Sequence, residues 1–523
     1  VCSTTGQGQL PRNAQKFINF IRKKKLPDDF LNHIKLTSFG LGDSLYPKFN
    51  YAIRKIHNRL LQLGCSEFLP RCESDEMAPE GVDAFYTEWE ALVLEGLEQD
   101  FPFIQLDGHA LLKAENKVIL DENSDDVLEF NNQDLITGRN TLSHGKIVQN
   151  DRITDSTHFQ DVRHVIIESE NFISYEVGDT VALYPWNDDA TVDLLFEAQP
   201  HWAPFANKLV SIVGEFHVQG GLLPNLTLWQ LFKYHLDIMS IPRRSFFSIL
   251  WHFCDSSTED GEREQEKLRE FSGFEDPEEL YNYANRPRRL ILETILEFQG
   301  NVKIPISYIF DLFPKIHARL FLIAQKPNLH RIEIVVAIVE YKTILKRIRK
   351  GLCTKWLKLQ KPGSLISFST HASRLEFPLK PVIMISPGTG VAPMKSLIED
   401  KAGKQDLYLF YGCRYRAKDC LFDQKWLDLE KKGQLHYFPC FSRDEGSQYK
   451  YVQDKLFSEK ELIKKLILDQ ESTIFVCGSS GRMPREVRLT IVEILTQSGL
   501  TNEQANEYLV EMERKERYIQ ETW

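Results

Sequence analysis

The sequence predicts a multidomain α/β protein: a doubly wound α/β domain first, a β-rich domain with a helical insert next, and a second α/β domain last. Three observations carry that expectation. Strand-like and helix-like segments alternate over residues 1–97, β texture sets in from Gly145, and continuous apolar runs return from Pro381 onward. A length of 523 residues fits two to four domains, because single cores rarely grow past roughly 250–300 residues.

In the first domain (1–97), Val1-Cys2 reads as the end of a buried strand, so a preceding segment is expected. The polar loop Ser3-Thr4-Thr5-Gly6-Gln7-Gly8 leads to a helix near Asn13–Lys24. Lys35–Phe39 is a second strand, followed by the loop Gly40–Tyr46 and a helix near Asn50–Leu63. Cys65–Leu69 is a third strand, and Val82–Leu97 an amphipathic helix. In a doubly wound sheet, ligands sit beyond the carboxyl ends of the strands, where both loops lie. Residues 98–142 lack periodicity and read as a linker, with a short hairpin at most.

The β-rich domain (143–375) contains strands at Val162–Ile167 and Tyr175–Tyr184, and again at Arg319–Ala324 and Ile332–Tyr341. Between them, at about 190–300, apolar residues recur at helical spacing through Leu228–Met239, Phe246–Phe253 and Leu290–Phe298. In the last domain (376–523), Val382–Ile385, Leu407–Tyr411, His436–Phe441 and Ile474–Cys477 are continuous apolar runs, the mark of strands buried on both faces. No internal repeat of useful period is present.

Composition narrows the function classes. Hydrophobic content of 42% and charged content of 26% suit a globular protein, and a net charge of −10 argues against wrapping nucleic acid. Nine cysteines without a CxxC pair indicate neither a disulfide framework nor a structural zinc site, and fit a reducing, cytosol-like compartment. No run of about 18 apolar residues occurs, so no spanning helix is expected. No metal site is expected either.

The sharpest local signal is Ser386-Pro387-Gly388-Thr389-Gly390-Val391-Ala392-Pro393, directly after a buried strand and before a helix. Glycines let backbone amides approach a diphosphate, and the helix N-terminus adds partial positive charge. At the end of the third strand, Phe441-Ser442-Arg443 could clamp a 2′-phosphate, or could be a solvated strand end. Lys450 and Tyr451-Val452-Gln453 add a cation and an aromatic, and the set together favours NADPH. Cys477 closes the fourth strand where a residue would face a nicotinamide, although buried cysteine is usually a small hydrophobe. Trp523 ends the chain.

These residues, in this order and over essentially the whole chain, resemble the diflavin reductases, the group of cytochrome P450 reductase and the nitric oxide synthase reductase module. Leu183-Tyr184-Pro185-Trp186-Asn187 and Arg517–Trp523, with the compact length, look most like the NADPH-dependent diflavin oxidoreductase family. The resemblance implies a flavodoxin-like FMN domain, an antiparallel β-barrel FAD domain with a helical insert, and a ferredoxin-reductase-type NADP-binding domain. It implies electron transfer from NADPH through FAD and FMN to an anamorsin-type iron–sulfur protein in cytosolic iron–sulfur assembly. The rival readings are a donor to a haem protein and a non-catalytic scaffold. The implied location is cytoplasmic, with mitochondria as a second compartment.

Carried over by position, Ser3, Thr4, Thr5 and Gly6 match the second FMN loop. The third matches Leu41, Gly42, Asp43, Ser44, Leu45, Tyr46, Pro47, Lys48, Phe49 and Asn50, with Tyr46 stacking on the ring and Glu76 closing the site. Arg288 and Arg319 match FAD-phosphate arginines, with Leu320 between the second of these and Phe321, the aromatic beside the flavin. Gly351, Leu352, Cys353 and Thr354 match the diphosphate-holding turn. Thr389, Ser442, Arg443, Tyr449 to Gln453 (Tyr449, Lys450, Tyr451, Val452, Gln453) and Glu486 fall on NADPH positions. Cys477 and Glu521 would flank the hydride path, and Trp523 would shield the flavin until nicotinamide displaces it.

Three positions depart from the family pattern. Its first FMN loop would precede Val1, so FMN is expected to be substoichiometric in this chain. Leu322 stands where a serine hydroxyl near flavin N5 is usual, and Tyr449 stands in the place of a lysine, with Lys450 one residue later.

Overall fold

The computed structural model describes residues 1–4, 8, 10–44, 46, 48–78, 81–101, 110–121, 136, 138–139, 141–223, 225–273, 276–373 and 375–522. Two units are present. The first holds Val1–Lys113 with Arg243–His252 and Ser256–Arg286, and the second holds Ala114–Pro242, Phe253–Asp255 and Pro287–Trp523.

In the first unit, Cys2–Ser3, Phe39–Gly42 and Cys72–Asp75 form a parallel sheet with Phe39–Gly42 in the centre. Helices Gln15–Ile21 and Tyr51–Gln62 turn Ile18, Ile21, Ala52, Ile53 and Ile56 onto a small core beneath it. These apolar residues recur three or four apart, which puts them on one face. The expected strand Lys35–Phe39 is divided. Lys35–Leu36 pairs with Ser66–Glu67 in a separate two-stranded ribbon, and the central strand runs on to Gly42. The third strand of the main sheet is therefore Cys72–Asp75, not Cys65–Leu69. Its sequence, Cys-Glu-Ser-Asp, has no apolar run to betray it, and it is recruited by its ladder to Phe39–Gly42. Arg244, far along the chain, belongs to this unit and donates to Thr87 Oγ1 at 2.9 Å.

The second unit combines a barrel and a parallel sheet. The barrel strands run in the order Arg319–Leu322, Thr180–Leu183, Leu365–His371, Ser143–Arg152, Val162–Glu168, Arg331–Ala337, all antiparallel. An Ile323–Ile334 bridge brings the two outer strands together, closing the sheet on itself and leaving little free edge. Strand Tyr175–Tyr184 shortens to Thr180–Leu183, because Asp179 turns back to receive the Glu176 amide. The segment expected to be a linker with at most a hairpin instead contributes Lys117–Leu120, paired antiparallel with the distant Val210–Val213.

The parallel sheet has the order His436–Phe441, Leu407–Cys413, Val382–Pro387, Thr473–Gly478, Tyr518–Thr522. Its first strand in sequence is central and its neighbours lead away in opposite directions, so the loop after Val382–Pro387 sits at the topological switch point where such sheets bind ligands. Both faces are apolar, as the continuous runs require. Barrel residues Val162, Val177, Ala324 and Val335 share one core with Met384, Leu397 and Phe475, so barrel and parallel sheet bury surface together. Among the described residues no helix is long and apolar enough to cross a membrane.

Candidate functional site

A cavity of about 1480 Å³ opens in the second unit, walled on one side by the barrel and on the other by the carboxyl ends of the parallel strands. That exceeds the roughly 300–1,000 Å³ of an ordinary small-molecule site, and leaves room for more than one dinucleotide portion.

On the barrel side, Arg319, Leu320, Phe321 and Leu322 come from one edge strand and all line the cavity. Leu322 also packs against the shared core. Gly351 stands before helix Leu352–Leu359, and among the described residues no side chain caps that helix. Its first amides, at Leu352, Cys353 and Thr354, thus remain open to the cavity they line, as an anion at a helix N-terminus requires. A side chain at Gly351 would meet Thr354 Oγ1 and Val339 at 3.0 Å, so the turn is tightly made. Thr354 Oγ1 accepts the Val339 amide at 3.1 Å, which aligns its hydroxyl. Burial pushes the Cys353 thiol up to about 12, so it is a neutral wall.

On the sheet side, Gly388 is left-handed at φ 53° with open space around it, whereas a Cβ at Gly390 would lie 2.3 Å from the Cys477 carbonyl oxygen. The first glycine is set by backbone conformation, the second by close approach. Thr389 lines the cavity between them, and helix Val391–Lys401 follows without a side-chain cap. Ser442 joins it from the end of strand His436–Phe441, Lys450 to Gln453 from the start of helix Val452–Ser458, and Glu486 from helix Arg482–Gln497. Glu521 lines it too and pairs in register with Cys477.

Four positions read from the sequence are placed otherwise. Cys477 is fully buried within the sheet rather than on the cavity wall, and burial together with nearby Glu521 holds its thiol well above the ordinary range. Tyr449 packs against the core of the parallel-sheet domain, half-buried, with Lys455 Nζ 4.8 Å from its ring, while Lys450 lines the cavity. Arg288 is exposed and off the lining, at φ 55°, with its carbonyl receiving Arg349 Nε at 2.7 Å. Arg443 faces a second, smaller cavity of about 310 Å³, shared with Arg414, Lys418 and His158.

The sequence reading missed the barrel segment Thr154–Gln160 and Arg414, which line both sides of this corner. Arg414 stacks its guanidinium 4.2 Å from the Phe159 ring centre. Arg482, before Met483 and Glu486, was missed as well. A cluster of cations at strand ends was the available signal for Arg414, but nothing local announced that residues 154–160 would fold against it.

In the first unit, the ends of the three parallel strands stand side by side. Thr4 amide donates to Leu41 oxygen at 2.9 Å, and the Glu76 amide to Gly42 oxygen at 2.9 Å. Asp75 carboxylate receives Ser44 N and Met77 N, bracing the loop that carries Asp43 and Tyr46. Asn50, at φ 52°, is fully buried, donates to Ser74 oxygen, and packs so closely on Gly40 and Gly42 that a Cβ there would approach within 2.5–2.8 Å. Lys48 packs over Gly8, and Phe49 donates its amide to Tyr46 oxygen. Ser3, Thr4 and Leu41 through Ser44 thus stand together at the carboxyl ends of the parallel strands. Thr5, Gly6, Leu45, Pro47 and Trp523 lie outside the described residues.

Comparison with known proteins supplies the rest. Models of an FAD binding domain, a flavodoxin and an oxidoreductase NAD-binding domain match residues 139–356, 1–89 and 384–488. The chain is similar to NADPH-dependent diflavin oxidoreductase 1 of Debaryomyces hansenii, 56% identical over 543 residues, covering 100% of this chain and 90% of that protein. The Candida albicans protein of that name is 51% identical, covering 100% and 90%, and that of Saccharomyces cerevisiae 40%, covering 100% and 91%.

Proposed function

The chain belongs to the NADPH-dependent diflavin oxidoreductases, and from that premise we propose that its electron acceptor is an anamorsin-type iron–sulfur protein of cytosolic iron–sulfur cluster assembly. It is an NADPH-dependent flavoprotein oxidoreductase with flavodoxin, FAD-binding and NAD-binding domains. FAD, when bound, would supply hydride acceptance from NADPH, and FMN would supply single-electron transfer to a protein acceptor.

The protein's own part is to hold, orient and shield. Arg319 and the amides of Leu352, Cys353 and Thr354 fit the diphosphate of FAD, and Phe321 flanks its ring. The Gly388–Gly390 turn with Thr389 fits the diphosphate of NADPH. Ser442, Arg443, Lys450 and Tyr451 fit the 2′-phosphate. Glu521, on the cavity wall, and Cys477, behind it, border the hydride path; Cys477 acts there as a neutral, positioning group. In the first unit, Ser3, Thr4, Leu41 to Ser44, Tyr46 and Glu76 fit the FMN ring. The nine cysteines, all free thiols, support a reducing location, cytoplasmic and with mitochondria as a second site.

What supports the reading is similarity over the whole of this chain, at 40–56% identity, to proteins named as diflavin oxidoreductases, whose family resemblance implies an iron–sulfur acceptor. It is tested by NADPH-driven reduction of a purified anamorsin-type protein against a cytochrome, followed by absorbance. Faster turnover with the iron–sulfur protein is expected; equal or faster haem reduction overturns the reading.

A second expectation concerns Leu322. Replacing it with serine restores one hydroxyl at the cavity wall, worth roughly 0.5–1.5 kcal/mol as a net hydrogen bond. Stopped-flow reduction of FAD by NADPH is then expected to be about two- to tenfold faster in Leu322→Ser at equal FAD content. An unchanged or slower rate means that Leu322 serves only the core it packs against.

A further inference from the structure

A β-hairpin stands on the rim of the large cavity, and its composition differs from that of the rest of the chain. Strands Glu340–Lys342 and Ile348–Lys350 pair only with each other, as a two-stranded ribbon apart from the barrel. The base is anchored where Val339 oxygen receives the Gly351 amide at 3.0 Å. Over residues 340–350 there are five cations and a single carboxylate, in a chain whose net charge is −10.

The ribbon has two unlike faces, because side chains alternate along a strand. Arg349 and Arg347 both bind Glu293 of helix Ile291–Glu297, at 2.5 and 3.0 Å, which ties the ribbon down on one side. The pairing places Lys342 opposite Ile348 and Glu340 opposite Lys350 on the other side. Lys342, Lys346 and Lys350 are exposed, and among the described residues none of them makes an ion pair. The apolar residues there are exposed as well: Ile344 59%, Leu345 51% and Ile348 52%.

The tip is closed by Thr343 and Arg347, with the Lys346 amide donating to Thr343 oxygen. Lys346 has φ 60°, the left-handed conformation that favours glycine. The turn thus carries a cation where backbone preference asks for the smallest residue.

We propose that this hairpin is a membrane-docking element that inserts Ile344 and Leu345 into the interface of an anionic lipid bilayer, with Lys342, Lys346 and Lys350 on the headgroups. The charge is complementary to such a surface and opposite to that of the chain as a whole. Aliphatic tips flanked by long cationic stems suit the headgroup–acyl boundary, where the stems lie along apolar surface and the ammonium groups stay in water. A specific protein partner buries about 800 Å² on each side, more than the few outward side chains of one narrow ribbon supply. The anchorage through Glu293 leaves the docking face rigid, so little ordering is needed on binding.

The experiment is flotation of the flavin-loaded protein with vesicles of phosphatidylcholine alone and of phosphatidylcholine with one third phosphatidylserine. Binding to the anionic vesicles only, weakened by salt, is expected. Lys342→Ala, Lys346→Ala and Lys350→Ala should each lower the partition coefficient about fivefold. Ile344→Ser with Leu345→Ser should weaken binding at every salt concentration. Unchanged FAD content and NADPH–ferricyanide rates in the variants establish that they are folded. Failure to float with anionic vesicles, equal binding to neutral ones, or variants that bind like the parent overturn the proposal. Should the lysine variants float normally but raise KM for a protein acceptor, the hairpin is a protein-docking surface and the lipid assignment fails.

Discussion

Lys395→Met should destabilise the second unit by about 3–5 kcal/mol, the usual consequence of breaking a buried ion pair from one side. Lys395 lies in helix Val391–Lys401, immediately after the glycine turn, and is 3% exposed. Its ammonium donates to Ala324 oxygen at 2.9 Å and Glu333 Oε2 at 2.8 Å, and pairs with Glu399 Oε1 at 2.8 Å. Glu333 belongs to barrel strand Arg331–Ala337, so this one cation joins barrel to parallel sheet. Ser396 adds a bond to Gln325 oxygen across the same seam.

Burial alone would push the Glu333 carboxyl up, but the His164 hydrogen bond and the Lys395 charge outweigh it and hold it down to about 2. A depressed carboxylate stabilises the fold above its unfolded value of 4.5 and loses that contribution as pH falls through about 2. At neutral pH, Lys395→Met strands Glu333 and Glu399 with fewer cations, so the destabilisation should be largest above pH 4.5 and shrink as pH falls and the carboxylates protonate. Urea unfolding followed by tryptophan fluorescence reports it, since Trp426 sits in the shared core. Combining Lys395→Met with Glu333→Leu should recover part of the loss, because the buried charge goes too. A midpoint that barely moves in the single variant shows that water reaches the cluster and screens it.

Arg443→Ala should raise KM for NADPH about tenfold to a hundredfold while leaving NADH kinetics nearly untouched. A hydrogen bond to a charged group is worth roughly 1.5–3 kcal/mol, and each 1.4 kcal/mol is tenfold in affinity. The Arg443 amide is fixed to Arg414 oxygen at 2.9 Å, and Ser442 to Cys413 oxygen, so both side chains start from a rigid strand end. Arg443, Arg414 and Lys418 gather around the smaller cavity, and their positive charge suits a dianion that NADH lacks. Steady-state kinetics with both nucleotides decide the matter. Equal damage to both would make Arg443 a structural residue. Arg414→Ala in the same background should show less than additive loss, because neighbouring cations share one phosphate.

Much of the architecture was already written in local patterns. Val382–Ile385 and Leu407–Tyr411 are too apolar to be anything but strands covered on both faces, and the turn from Pro387 to Gly390 needs glycines for reasons visible in one dimension. The order of chemistry-bearing residues along the chain was enough to identify the family resemblance, and relatives that match over the whole of this chain bear it out. Strand Cys72–Asp75 was not legible, because a cysteine and three polar residues become a strand only when Phe39–Gly42 offers them a ladder. Nor was the pairing of Lys117–Leu120 with Val210–Val213, across some ninety residues, which no local propensity encodes.

The same division holds within the site. The sequence by itself determined which residue types stand at each strand end and glycine turn, since backbone conformation and periodicity act over a few neighbours. Only the tertiary structure decided that Tyr449 turns inward and Lys450 outward, that residues 154–160 close the corner lined by Arg414, and that Cys477 lies behind the cavity wall. It likewise decided that Lys395, unremarkable in its helix, is buried between two carboxylates. Burial and charge pairing depend on what packs from distant parts of the chain, and that information exists only once the barrel and the parallel sheet have come together.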